Sequence, residues 1–139
     1  IDANDYRKII NNVIVFLEGD CSKLLKYDHK KAIKSASDKM EYEKANILKN
    51  SEGFLKWFCK KMKFYHNFKT FTTVLSTKNL NFLFHKGQLV QKFSGSLDEE
   101  EIDFLTGEVI GNMDDRYILD RAKIIYNWLQ NHNDSIRFL

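Results

Sequence analysis

The spacing of apolar residues changes near His66, and this change constrains the fold more than any other feature of the sequence. Before His66 apolar residues recur every three or four positions, which is typical of one face of a helix. After it they alternate with other residues, as along a strand. The chain contains no proline, so its predicted helices can be long. The sequence therefore predicts an α+β fold: an N-terminal helical hairpin region followed by a small antiparallel sheet with two packed helices.

Three helices are predicted in the first part of the chain. They cover about residues 4–17, a segment that begins after Asp20 or Ser22, and about residues 40–65. The first has a continuous apolar stripe, formed by Tyr6, Ile9, Ile10, Val13, Phe16 and Leu17. The second has a weaker one, formed by Leu24, Leu25, Tyr27, Ile33 and Ala36. Within the third, Gly53 indicates a kink or a close approach of another helix.

An antiparallel meander is predicted in the second part. Its three strands cover about residues 68–75, 80–86 and 88–94. Lys86 and Gly87 carry the tight-turn signal between the second and third strands. The acidic run 98–101 suits the start of a helix, because carboxylates are favourable at a helix N-terminus. A further helix is expected from Asp114 or Asp115, and a short edge strand over 135–139.

Charge is distributed unevenly between the two parts. Residues 1–66 hold 14 Lys and Arg against 9 Asp and Glu, which is 14 − 9 = +5. Residues 67–139 hold 8 against 10, which is 8 − 10 = −2. We therefore expect two regions, a basic helical one over 1–66 and the meander with its two helices and terminal strand over 67–139. The basic region can attract nucleic acid or an acidic partner, or it can be a solvated helical surface.

Cysteine and histidine spacing indicates no metal site and no cofactor. Cys21 and Cys59 lack CxxC spacing and nearby histidines, and we expect two reduced thiols in a cytoplasmic protein. The four histidines are scattered through the chain. No apolar run approaches the roughly 20 residues of a membrane span, so no membrane partner is expected.

Several short motifs follow one another in the first 60 residues, and their order is more specific than any one of them. Tyr6 leads a helix that closes on Phe16-Leu17-Glu18-Gly19, Leu24-Leu25 follows, and Met40-Glu41-Tyr42-Glu43-Lys44-Ala45 comes next. This order resembles the central part of UvrC, the nuclease subunit of bacterial nucleotide excision repair. In that family the acidic-aromatic helix belongs to a UVR domain, a helical hairpin that pairs with a related hairpin at the end of UvrB.

The resemblance implies a partner-docking surface at Tyr42, Glu43 and Ala45. Tyr42 would be the aromatic anchor and Glu43 a charge at the rim. The implied partner is a UvrB-like protein or another UVR-type hairpin, and self-association through the same surface is a further expectation. The alternative is that Tyr42 and Ala45 only pack inside this chain. Asn46 and Lys49-Asn50 stand where the family usually has Ala and Arg-Asp.

The rest of the chain resembles the tail of shorter relatives in which a GIY-YIG nuclease precedes the UVR-like hairpin. The similar segments are Lys86–Val90, Ile125–Leu129 and Ser135–Leu139. The GIY-YIG motif is absent and the chain begins at Ile1 without an initiator Met, so we expect a segment of a longer DNA endonuclease. A ribonuclease H-like site needs paired carboxylates on strands, and the predicted strands contain no Asp or Glu. No catalytic residue is therefore predicted.

A group of lysines lies among aromatic residues near the end of the third helix. Its members are Lys56, Lys60, Lys61, Lys63 and Lys69. Lysines beside aromatic rings can contact phosphates and stack bases, although the helical spacing of the aromatics also suits a core. The function expected from the sequence is thus a non-catalytic docking or scaffold segment of a DNA-repair excinuclease. A nucleic-acid-binding module and a degenerate nuclease with metal-dependent cleavage are the alternatives.

Overall fold

The computed structural model describes residues 2–21, 29–109, 111 and 113–139. Its elements are α1 (Ala3–Leu17), α2 (His29–Asp38), α3 (Tyr42–Thr70), β1 (Thr72–Ser76), β2 (Asn81–His85), β3 (Gln88–Phe93), α4 (Glu99–Gly107), α5 (Asp115–Asn131) and β4 (Ser135–Phe138). The α+β class predicted from the sequence is confirmed. The chain divides into two compact units, a first unit Ile1–Lys63 and a second unit Phe64–Leu139. The boundary falls inside α3.

In the first unit, α1 meets α3 at the C-terminal end of α1. The Asp2 carboxylate caps the start of α1, and Gly19 follows its end with φ +91°. The rings of Phe16 and Phe58 are stacked with centroids 5.4 Å apart. A Cβ on Gly19 would lie 2.6 Å from the Cα of Lys63, so only glycine permits this close approach.

A tight turn joins α2 to α3 and makes a helical hairpin. Met40 takes a left-handed conformation with φ 61°, and the backbone N–H of Glu41 donates to the Ala36 carbonyl at 2.8 Å. Ala36 is buried, as its place in the predicted stripe requires. The predicted start of this helix, with Leu24, Leu25 and Tyr27, lies outside the described residues.

The end of α3 differs from the sequence prediction. The helix continues to Thr70 and β1 starts at Thr72, whereas a strand was expected from Phe68. Phe64 and Phe68 are one helical turn apart, and their rings are stacked with centroids 6.3 Å apart. Phe68 also lies 5.2 Å from the Phe84 ring of β2. Burial of two rings at helical spacing therefore outweighs the alternating pattern that begins at Phe68.

The close helix approach expected at Gly53 is wrong. Gly53 is exposed, and among the described residues a Cβ placed there would meet no atom within 4 Å. The helix assignment of α3 continues through this position.

The sheet of the second unit has the strand order β3-β2-β1-β4, and every neighbouring pair is antiparallel. The two-residue turn Lys86-Gly87 closes the β2–β3 hairpin with φ values of 47° and 79°, as a type I′ turn requires. The predicted edge strand is present as β4, at the edge beside β1. Thr73, Leu83 and Phe68 are the most deeply buried side chains of this unit.

Both helices of the second unit start at the predicted acidic residues. Asp98 and Glu101 form a capping box at the start of α4. Asp114 caps α5. The backbone N–H of Arg116 is the main cause that lowers the pKa of the Asp114 carboxyl, and the Arg116 guanidinium lowers this pKa further. These carboxylates are thus used as helix caps.

The cysteines contradict the sequence expectation of two reduced thiols. Cys21 and Cys59 form a disulfide with Cα atoms 6.0 Å apart, although 38 positions separate them in the sequence. The end of α1 lies against α3 at this point, which brings the two residues together. Sequence spacing could not show this proximity.

Candidate protein-docking surface

Tyr42 is the first residue of α3 and stands directly after the hairpin turn. Its side chain is 64% exposed, and the neighbouring Glu43 is exposed as well. Ala45 is half-buried, and its backbone N–H donates to the Glu41 carbonyl at 3.0 Å. Tyr42 is therefore available to a partner and is not part of this chain's core. The core alternative remains open for Ala45 alone.

A second group of exposed apolar residues, the α3 stripe, consists of Ile47, Phe54 and Trp57. Ile47 is 65% exposed and Phe54 is 59% exposed. Spacings of seven and three residues place all three on one side of the helix. Tyr42 lies roughly 120° around the helix axis from Phe54, at about 100° per residue. Ile47 is not among the residues predicted above to contact a partner, and its spacing from Phe54 and Trp57 is the signal in the sequence that indicates it.

Aromatic contacts hold the end of the α3 stripe in place. The rings of Phe54 and Trp57 have centroids 5.7 Å apart, and Phe54 lies 6.0 Å from Phe58. The Lys61 ammonium lies 5.0 Å from the centre of the Trp57 ring, which is cation–π distance. The stripe is thus an ordered apolar surface with a cation at one end.

A third apolar surface, the α1 stripe, covers one side of α1. Its exposed members are Tyr6, Ile9, Ile10, Val13, Ile14 and Leu17. α1, which is described in full, contains no buried side chain. Apolar residues this exposed on two helices of one small unit are characteristic of an interaction surface.

An ion pair lies on another side of α3. The Lys56 ammonium lies 2.5 Å from Glu52 and is the main cause that lowers the pKa of the Glu52 carboxyl. The charges of His29 and Lys30 act in the same direction.

The predicted lysine group does not form one free cationic patch. Lys56 is paired with Glu52, and Lys61 lies over Trp57. In the second unit, Lys69 lies 3.0 Å from Asp115. Among the described residues, Lys60 and Lys63 have no ion pair. Within the described part of the chain, these two members of the group have no carboxylate that competes with a phosphate partner.

Two of the clefts in the described part of the second unit are of moderate size. One, of about 380 Å³, contains the Lys69–Asp115 pair and His85. Burial, with a smaller effect of Lys86, lowers the pKa of His85, whose Nδ1 lies 2.8 Å from the Thr72 hydroxyl. The other cleft, of about 450 Å³, is apolar and includes Phe82 among its lining residues.

Among the described residues, no group of three or more His, Cys, Asp or Glu side chains is placed to hold a metal ion. All four strands are free of Asp and Glu in their sequences. These strands therefore do not supply the paired carboxylates that a ribonuclease H-like site needs.

Comparison with protein-family models, with curated proteins and with solved structures gave no match. Within the described part of the chain, no helix has the length and apolar character needed to span a membrane. By its fold the chain is an α+β protein whose first unit is a helical hairpin with a preceding helix. The exposed apolar surfaces of that unit are its most distinctive feature.

Proposed function

We propose that the first unit is a docking module that binds a helical hairpin of another protein through α3. The observation that carries this proposal is the exposure of two apolar groups on α3, namely Tyr42 at the hairpin tip and the α3 stripe about 120° around the helix axis from it. The resemblance to the central region of UvrC suggests the partner, the C-terminal hairpin of a UvrB-like protein. The chain would then be a non-catalytic, cytoplasmic segment of a DNA-repair nuclease.

The energetics of α3 favour an external partner. Burial of a large apolar side chain contributes about 1.5–3 kcal/mol relative to leaving it in water. Ile47 and Phe54 are more than half exposed and Trp57 is 47% exposed, so much of this free energy is still to be gained. Tyr and Trp are also the residue types that most often dominate binding energies at interfaces. An amphipathic helical hairpin offers a complementary apolar face of the right length.

The residues at the hairpin tip suit distinct roles in docking. Tyr42 can bury its ring while its hydroxyl stays in contact with water at the rim. Ala45, one helical turn from Glu41, is small enough to permit close approach of a partner helix. Glu43 is exposed and can form a charge pair that sets the orientation of the partner more than its affinity.

The proposal is tested by calorimetric titration of the full chain with the isolated C-terminal hairpin of a UvrB-like protein. Tyr42→Ala and Phe54→Ala should each weaken binding at least about tenfold, because each removes an anchor worth about 1.4 kcal/mol or more. Phe104→Ala is the matched control, since this phenyl ring is 66% exposed but belongs to α4 of the second unit. It should leave the affinity within a factor of about two.

Two results would count against the docking proposal. One is the absence of binding at tens of micromolar hairpin. The other is binding that Phe104→Ala weakens as much as Tyr42→Ala does. If the Tyr42→Ala chain alone keeps full affinity, the α3 stripe and not the hairpin tip is the contact.

A nucleic-acid-binding role is the second candidate, and Lys60 and Lys63 are the observation in its favour. Both are unpaired among the described residues and lie on α3 one turn apart. Phosphate contacts by two lysines predict binding whose logarithm falls with the logarithm of salt concentration, with a slope of about −2. Docking through apolar side chains predicts little dependence on salt, so the same titration at two salt concentrations separates the two roles.

A further inference from the structure

The disulfide lies where it can decide the position of α1. Cys21 comes four residues after the end of α1, and Cys59 lies within α3. Besides this bond, α1 and its C-terminal turn meet α3 through the Phe16–Phe58 ring stack and the Gly19–Lys63 approach. All three contacts are at one end of the helix. The remaining length of α1 carries the exposed α1 stripe and, within this fully described helix, no buried side chain.

We propose that Cys21–Cys59 is a reversible redox link that holds α1 on α3 when oxidised and releases it when reduced. A helix of 15 residues is marginally stable in water without tertiary packing. Because α1 buries no side chain, its position depends on the covalent link, on the Phe16–Phe58 ring stack and on the close approach of Gly19 to Lys63. This device is independent of the proposed docking function, since it concerns the first unit whatever the partner is.

The chemistry is thiol–disulfide exchange with a low-molecular-weight thiol of the glutathione class. Its thiolate attacks one sulfur of the link, which forms a mixed disulfide and frees the other cysteine as a thiolate. A second thiol then attacks the mixed disulfide. In total, two external thiols are oxidised to one external disulfide. Cys21 and Cys59 are reduced to thiolates, and each takes up a proton to become a thiol. The reverse sequence, with the external disulfide as oxidant, restores the link.

The surroundings of Cys59 favour this exchange. Lys60 follows it directly, and Lys63 is one helical turn away on the same side of α3. Neither lysine is paired among the described residues, so both attract an anionic thiol such as glutathione. Both cysteines are 7% exposed, so a small thiol can reach a sulfur atom of the link from solvent.

The test is hydrogen–deuterium exchange of the full chain, equilibrated with reduced and oxidised glutathione at a series of ratios. Alkylation and intact mass give the fraction of link at each ratio. Amides of α1 should exchange at least about tenfold faster in the reduced chain, and reoxidation should restore their protection. Amides of α5 are the internal control and should not change. A Cys21→Ser, Cys59→Ser chain should exchange like the reduced form at every ratio.

Two outcomes would overturn the inference. In one, the thiols stay reduced even at the most oxidising ratio, so that no link forms. In the other, the link forms but α1 is equally protected with and without it. The reoxidation step keeps the test decisive if the double variant fails to fold, because it needs only the natural chain.

Discussion

Phe68→Ala is expected to lower the free energy of unfolding of the second unit by about 3–5 kcal/mol. Phe68 is fully buried, and its ring lies between Phe64 on α3 and Phe84 on β2. Removal of the ring leaves a cavity that the neighbouring side chains fill only in part. The free-energy cost of this cavity adds to the lost transfer free energy of the ring. Urea unfolding measures the effect, followed by the fluorescence of Trp128 in a chain whose Trp57 is replaced by Phe.

The matched control is again Phe104→Ala, which removes the same ring from an exposed site in the same unit. It should change the free energy of unfolding by no more than about 0.5–1 kcal/mol. Equal effects of the two substitutions would mean that Phe68 is not the centre of the core. A strand at 68–75, as the sequence pattern alone suggested, would then regain support.

Gly87→Ala is expected to lower the free energy of unfolding by about 2–4 kcal/mol, from two separate causes. The backbone of Gly87 has φ +79°, where a Cβ costs about 1–2 kcal/mol. The new Cβ would also overlap the Ile118 side chain of α5, which is buried, and overpacking costs about 1–3 kcal/mol. Displacement of this turn would further disturb the bond that the Arg121 guanidinium donates to the Gly87 carbonyl at 2.8 Å.

Gly95→Ala separates the two causes. Gly95 has φ +83°, but among the described residues nothing lies within 4 Å of a Cβ placed there. It should therefore show the backbone cost alone, about 1–2 kcal/mol. The difference between the two variants in urea unfolding measures the contact with Ile118. If the two losses are equal, the packing of α5 on the hairpin turn is looser than described.

Local signals in the sequence were sufficient for most elements. The position of α1, the starts of α4 and α5 at the acidic residues near 98 and 114, and the turn at Lys86-Gly87 follow from side chains adjacent in sequence. Such short-range chemistry acts in the same way whatever the rest of the chain does. The edge strand β4 was also recognisable, because its residue types favour a strand.

Long-range contacts account for the parts that the sequence could not show. The end of α3 depends on Phe68 packing against Phe84, a residue far along the chain. The disulfide depends on α1 and α3 meeting near Gly19, which no spacing rule contains. The exposure of Ile47 also depends on long-range contacts. The periodicity of apolar residues identifies the apolar faces of a helix but does not show which face packs against the rest of the chain. Pairing of Lys69 with Asp115 was likewise invisible before the fold was known.

Methyl NMR of the isoleucines tests the central claim, that α3 docks a partner hairpin, most directly. Ile47 on the α3 stripe is 65% exposed, and Ile124 on α5 is 69% exposed, so the two side chains are matched in solvent contact. Addition of the C-terminal hairpin of a UvrB-like protein should shift or broaden the Ile47 methyl signal and leave that of Ile124 unchanged. A shift of Ile124 with an unchanged Ile47 would contradict docking through α3 and move the interface to the second unit.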